Sequence, residues 1–281
     1  MSAVHYPYFN YILSQLELGN SSLERSFGHH VHWGYWENPL DEKCTDDDFY
    51  QAAENLSRKL CTLARVSDNQ QVLDVGCGFG GTVSLLNNTC QGMKLTGINI
   101  DDRQIARAKA NVKPANGNDI EFIVGDACSL PFDNEVFDRV LAVECIFHFP
   151  SRDSFFEEAI RVLKPGGNIT LSDFVASPLL IPSCHMLKLP LLNKLNFFGH
   201  CDIITLNKYR QLAAQFGLKM QMHDITRNTL PTYTYLRSLL KNSNLGRLYS
   251  LQARPGIALM KYISMFYLLT YPILSFTKPI E

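Results

Sequence analysis

The stretch Val72-Leu73-Asp74-Val75-Gly76-Cys77-Gly78-Phe79-Gly80-Gly81-Thr82 reads as an apolar strand, a glycine turn and the start of a helix. Four glycines fall within six residues, straight after the strand. Such a turn lets the chain reverse sharply, lets a ligand approach bare backbone and lets helix pack closely on strand. The free N–H groups of the helix start can receive polar ligand atoms. Asp74, at the end of the strand, can accept hydrogen bonds at the mouth of the turn.

Two ligand classes fit this turn. Gly76, Gly78 and Gly81 satisfy the G-x-G-x-x-G spacing of nicotinamide dinucleotide sites. S-adenosylmethionine has no pyrophosphate and would place its methionine tail and ribose at the same turn. A dinucleotide site also wants an acidic residue at the end of the next strand, about 20 residues on. That strand ends here in Gly97-Ile98-Asn99-Ile100, with an amide in place of the acid.

The surrounding pattern is α/β. From residue 71 strands and helices alternate. Strands are expected at Gln71–Val75, Lys94–Ile100, Ile120–Val124, Phe137–Val143 and Asn168–Phe174. Helices follow the first and second strands, and one runs from a Ser151 cap to Leu163, stopped by Lys164-Pro165-Gly166-Gly167. Asp101 and Gln104 form a capping-box pattern. Such alternation implies a parallel sheet covered by helices, with ligands at the carboxyl ends of the strands. Leu218–Ile225 and Tyr271–Lys278 extend the sheet, the latter as its last strand. Residues 1–70 then form N-terminal helices and a lid segment, 71–175 the binding core, and 176–281 a substrate lid and the last two strands. Residues 176–210, rich in Leu and Pro, break the rhythm as an inserted lid of short helices.

Composition narrows the function. The 281 residues carry a formal net charge of −1 and no long basic run, which argues against nucleic acid. Eight cysteines contain no C-x-x-C pair and read as buried thiols. The N-terminus lacks a signal-peptide pattern, so a cytoplasmic setting is expected. The apolar run Ile257–Phe276 is about as long as a membrane span. Lys261, Pro272 and its hydroxyl residues favour a buried helix feeding an edge strand, and no membrane contact is expected. Oligomeric state is left open. Gly28-His29-His30-Val31-His32-Trp33-Gly34-Tyr35-Trp36 holds three histidines and three aromatics. A metal site, plain core packing and a lid are open for it. No metal is expected, because ligand spacing is absent, and the lid is preferred because Gly34 gives mobility beside stacking faces.

Together, the glycine turn, Asn99, Gly125-Asp126-Ala127, the strand running into Glu144-Cys145-Ile146-Phe147-His148 and the Lys-Pro-Gly-Gly stop resemble the class I S-adenosylmethionine-dependent methyltransferases. The resemblance covers residues 70–175. It is closest to the small-molecule group that includes tocopherol C-methyltransferases, cyclopropane fatty-acid synthases and natural-product sugar O-methyltransferases. It implies a Rossmann-like doubly wound sheet of seven mostly parallel strands, with an antiparallel last strand and a helical lid. It implies S-adenosyl-L-methionine as cofactor, with Gly76, Gly78 and Gly80 along the methionine and ribose. Asn99, Ile100 and Gln104 would hold ribose and adenine, and Asp126 with Ala127 the adenine. Tyr35, Asp74 and Glu144 complete the cofactor set. Asn99 departs from the group's commoner acid. His148 falls where the group often has a histidine beside the transferred methyl. With Asp173 across the sheet it would form the general base for a hydroxyl acceptor. His32, Trp36, His148, Phe197 and His200 would line a pocket for a small hydrophobic substrate. A carbon acceptor could use the same base, and an amine would need alignment alone.

Overall fold

A computed structural model describes residues 6–182, 201–242 and 247–280. The N-terminal part holds α1 (Pro7–Glu17), α2 (Ser21–Phe27) and α3 (Asp46–Leu63). The alternating core follows: β1 (Gln71–Val75), α4 (Gly81–Thr89), β2 (Lys94–Asn99), α5 (Asp102–Asn111), β3 (Asp119–Val124), β4 (Phe137–Val143), α6 (Arg152–Val162) and β5 (Leu163–Ser172). Then come β6 (Val175–Ala176), α7 (Leu206–Gln215), β7 (Lys219–Asp224), α8 (Thr226–Asn242), α9 (Arg247–Met265), β8 (Leu269–Thr270) and β9 (Pro272–Thr277).

One seven-stranded sheet has the order β3-β2-β1-β4-β5-β9-β7. Strands β1 to β5 pair in parallel, and β9 is antiparallel to both of its neighbours. The last strand is therefore interior and not the expected edge. The edges are β3 and β7. Alternation along β1 feeds both faces. Val72 joins the core made by α3, α4 and α5, while Leu73 and Val75 join the core made by α6 and α7. On the second face Phe155, Phe156 and Tyr209 are fully buried. A third cluster joins Ile12 and Leu13 of α1 and Phe27 of α2 to Phe49, Trp36 and Phe79.

Several boundaries differ from the sequence expectation. Lys164-Pro165-Gly166-Gly167 lies inside β5 and does not precede it. The pairing register with β4 shifts between Phe137 and Arg139, and Gly166 has a φ of +74°, so the four residues form an irregularity that the strand absorbs. Asp101 does cap α5, accepting from Arg103 N at 3.0 Å. The box is not closed by Gln104, because Asn99 Oδ1 takes the Asp101 N–H at 3.0 Å. The run from Ile257 is not buried all round. Ile257 and Ser264 face the core, whereas Leu259, Tyr262 and Phe266 are exposed. No helix among the described residues is long and apolar enough to cross a membrane.

Candidate active site

The site forms where β1 to β5 end. The glycine turn is pinned against β2: Gly76 N and Cys77 N both donate to Ile98 O, at 2.8 and 3.1 Å. Gly76, Gly78 and Gly80 all have positive φ, which L side chains rarely adopt. Their surroundings differ. A Cβ on Gly76 would meet Cys145 Cβ at 2.7 Å, and one on Gly80 would meet the Phe122 ring at 3.0 Å. A Cβ on Gly78 would meet nothing nearer than Gln104 Oε1 at 3.9 Å. Among the described residues, Gly78 alone of the three thus opens on unfilled space.

Asp74 lies beside this turn, and burial pushes its carboxyl up to about 8. Its Oδ2 is buried with no hydrogen-bond partner. A buried orphan oxygen of this kind calls for a donor from a ligand. Asn99 and Gln104 meet through an amide hydrogen bond of 3.3 Å, with Gln104 buried and Ile100 exposed. Asp126 holds its own turn by accepting from Cys128 N at 2.8 Å, with Ala127 buried next to it. The donors, the open Gly78 cradle and the orphan carboxylate suit S-adenosylmethionine, which brings an amino group, two ribose hydroxyls and an adenine.

Over the turn lies the histidine and tryptophan segment, whose backbone is anchored at successive residues. Trp33 N donates to Glu144 Oε2 at 2.9 Å, Gly34 N to Thr232 Oγ1 at 3.0 Å, Tyr35 N to Ala52 O at 2.8 Å and Trp36 N to Asn228 O at 3.0 Å. Four successive backbone anchors and buried rings make it a wall of the site in this structure. His32 is buried in a polar network. It bonds His30 at 3.1 Å, Ser57 at 3.2 Å and Trp33 O at 2.9 Å, and Ser57 continues to Thr82 of α4 at 3.3 Å. Trp36 is buried with Phe49 and donates to Asp48 at 3.1 Å. Tyr35 donates to Glu37 at 3.0 Å and its ring lies under Lys59. Among the described residues no cluster could hold a metal ion. Phe197 and His200 lie outside the described residues.

Glu144 follows β4 with a φ of +51°. Its carboxylate accepts from Trp33 N and from Tyr271 OH, tying the N-terminal wall to the residue before β9. Phe174 packs edge-on against Trp33 at 5.3 Å and Tyr271 at 4.9 Å, with Phe147 at 5.9 Å. The four rings are buried, and burial pushes the Glu144 carboxyl up to about 8, against the hydrogen bonds from Tyr271 and Trp33 that lower it.

His148 lies at the rim of the box. Its Nε2 is 3.1 Å from Tyr8 OH, its carbonyl accepts from Tyr6 OH at 3.2 Å, and the Tyr6 ring lies 4.0 Å from the imidazole. Burial holds Tyr8 protonated, well above the ordinary phenol range. The expected pairing of His148 with Asp173 is not made. Asp173 is fully buried and accepts from Arg152 Nη2 at 3.0 Å, from Tyr209 OH and from Phe174 N at 2.8 Å. Arg152 also bridges to Asp202 at 2.7 Å. Burial alone would lower the Arg152 pKa, but Asp173 and Tyr209 raise it above its ordinary value. Oδ2 of Asp173 is taken by Arg152 and Tyr209 and Oδ1 by the Phe174 N–H, and loss of the ion pair would strand a buried guanidinium. Sequence reading missed Tyr6, Tyr8, Tyr271, Arg152 and Tyr209. The signal for the first two was Tyr6-Pro7-Tyr8 at the start of an amphipathic helix.

The buried groups set a pH dependence. Asp74 and Glu144 have folded-state pKa values raised to about 8, so their contribution to stability is full below the unfolded carboxyl range and is lost as pH rises through about 8. His32 is the opposite case. Burial, then His30, lowers it to about 3, so its contribution is lost as pH falls below the unfolded imidazole value. Glu144→Gln keeps both acceptor contacts and removes one titration. It should shrink the drop in stability between about pH 5 and pH 8, read from urea midpoints at the two pH values. An undiminished drop would show that Glu144 is ionised in the folded protein.

The comparisons fit this geometry. A family model described as "Methyltransferase domain" matches residues 73–171. A methyltransferase of Streptomyces halstedii, GfsG, is 30% identical over 221 residues, covering 76% of this chain and 74% of that protein. The 27-O-demethylrifamycin SV methyltransferase of Amycolatopsis mediterranei (strain S699) is 30% identical over 216 residues, covering 75% of each. Among solved structures, the mycolic acid cyclopropane synthase CmaA1, complexed with S-adenosylhomocysteine and CTAB, shares the fold. Its TM-score is 0.76 at 15% identity, over 98% of this chain and 99% of that one. The nicotinamide reading of the same glycines is thereby set aside: the chain belongs to the class I S-adenosylmethionine-dependent methyltransferases of natural-product type.

Proposed function

We propose that this enzyme methylates a hydroxyl group of a small, largely hydrophobic metabolite, with His148 as general base. The observation that carries the proposal is the 3.1 Å contact between His148 Nε2 and the Tyr8 hydroxyl at the rim of the aromatic box. A phenol already sits where an acceptor hydroxyl would present its proton. The name of the rifamycin relative describes methylation at oxygen, in keeping with this reading.

S-adenosylmethionine, when bound, supplies a methyl group on a sulfonium, activated by its charge for in-line displacement. The protein's part is positioning and proton removal. Gly78 admits the cofactor while Gly76 and Gly80 let the turn pack against Cys145 and Phe122, Asp74 offers its orphan oxygen to a donor, and Asn99, Gln104 and Asp126 read ribose and adenine. Trp33, Phe147, Phe174 and Tyr271 keep water from the reacting atoms. His148 takes the acceptor proton as the oxygen attacks. Asp173 is left out of this scheme, since Arg152 and Tyr209 occupy it.

The test is product identity. Incubation with S-adenosylmethionine and a panel of hydrophobic alcohols, phenols, glycosides and hydroquinones should give O-methyl products by nuclear magnetic resonance. Turnover confined to ring carbons or amines would overturn the O-directed reading.

A further inference from the structure

We propose that the exposed face of α9 docks on an anionic phospholipid surface. Leu259, Tyr262 and Phe266 follow one another at helical spacing and are 62%, 59% and 74% exposed. Met265 and Tyr267 widen the stripe. Exposed apolar residues scattered singly are ordinary, but a contiguous stripe marks a contact surface. Fraying does not account for it. On the opposite face Ile257 and Ser264 are buried, Met260 and Ile263 pack on the core, and Tyr233 OH bonds Ser264 at 3.1 Å.

Charge selects the occupant. From Thr226 to Met265 the sequence carries Arg227, Arg237, Lys241, Arg247, Arg254 and Lys261 and not one Asp or Glu, in a chain of formal net charge −1. The exposed Arg227 lies over the Tyr267 ring at 5.8 Å, so a cation borders the stripe directly. One carboxylate from another element, Glu42, reaches Lys261, which also bonds Thr234. A second copy of the chain is disfavoured, because a two-fold contact through this face would bring two cation-only hairpins together. Nucleic acid would take the charge and leave the aromatic and aliphatic stripe in water. An anionic lipid interface takes both: the rings and Leu259 enter the headgroup boundary, and the cations meet the lipid charge. Since no described helix can span a bilayer, α9 would lie in the interface plane.

The test is flotation of the full chain with phosphatidylcholine vesicles, with and without phosphatidylserine. The wild type should float with the anionic vesicles alone and be released by salt. The double variant Tyr262→Ser, Phe266→Ser should lose about tenfold or more in partitioning. Calorimetric affinity for S-adenosylhomocysteine should be unchanged and serves as the fold control. Should that control fail, Leu259→Ser carries the same test. No flotation of the wild type, or equal flotation of wild type and variant, overturns the proposal. So does light scattering that shows a wild-type dimer and a monomeric variant, because the stripe would then belong to a second copy.

Discussion

Replacing His148 with alanine should lower kcat by about 10²–10⁴, the range expected for loss of a general base. Affinity for S-adenosylhomocysteine should barely change, because the described contacts of His148 are with Tyr6, Tyr8 and Phe147 and with none of the glycine turn. The informative readout is the pH–rate profile with a hydroxyl acceptor. The wild-type rate should climb with pH through the pKa of the base, and that limb should vanish in the variant. A packing role for the imidazole under Tyr6 would instead scale the whole profile down without changing its shape. Tyr8→Phe separates these further, since it removes the hydroxyl bonded to Nε2 and leaves the ring. A His148→Ala enzyme with wild-type rate and profile would remove the base assignment.

Gly78→Val should lower cofactor affinity by at least about 100-fold while the protein still folds. Gly78 has a φ of +54°, and its missing Cβ points at space bounded by nothing nearer than 3.9 Å. A Cβ there does not collide with the described residues, and the methyl groups of valine extend beyond it. The valine fills the cradle and adds about 1–2 kcal/mol of left-handed strain. Gly76→Val is the contrasting variant, because its Cβ meets Cys145 at 2.7 Å and its cost falls on the fold. Calorimetry showing unchanged affinity for S-adenosylhomocysteine in Gly78→Val would displace the cofactor from this turn.

The frame of the molecule was legible in the sequence. Buried parallel strands are short apolar runs, so Gln71–Val75 and Phe137–Val143 were bounded to the residue. Ser151 stood out as a cap because its side chain accepts from Ser154 N at 3.1 Å. What one-dimensional pattern does not encode is which side chains meet above the sheet. Tyr8 and His148 are 140 residues apart, and Glu144 and Tyr271 are 127 apart. Asp173 illustrates the cost. Its place after β5 suggested a partner for His148, but Arg152 from α6 and Tyr209 from α7 reach it from other elements. The histidine and tryptophan segment shows the same limit. Glycine suggested a lid, and the sequence does not show that Thr232, Asn228, Ala52 and Glu144 anchor its backbone. The apolar run at 257–276 hid an exposed stripe because mean hydropathy does not say which face of a helix is covered.

The interior place of β9 decides when the enzyme becomes an enzyme. β5 pairs with a strand more than a hundred residues further on, through contacts such as Asn168 with Thr277. Until 272–277 arrive, β5 presents an unpaired row of amides and carbonyls, and β7 has no strand beside it. Pairings of such long range form late and leave an edge open to other chains meanwhile. Tyr271, immediately before β9, carries the hydroxyl that grips Glu144 and one wall of the aromatic box. Sheet closure and site closure are therefore one event. A chain stalled short of it would hold most of its helices and its whole glycine turn, yet have neither a protected edge nor a dry place for the reaction.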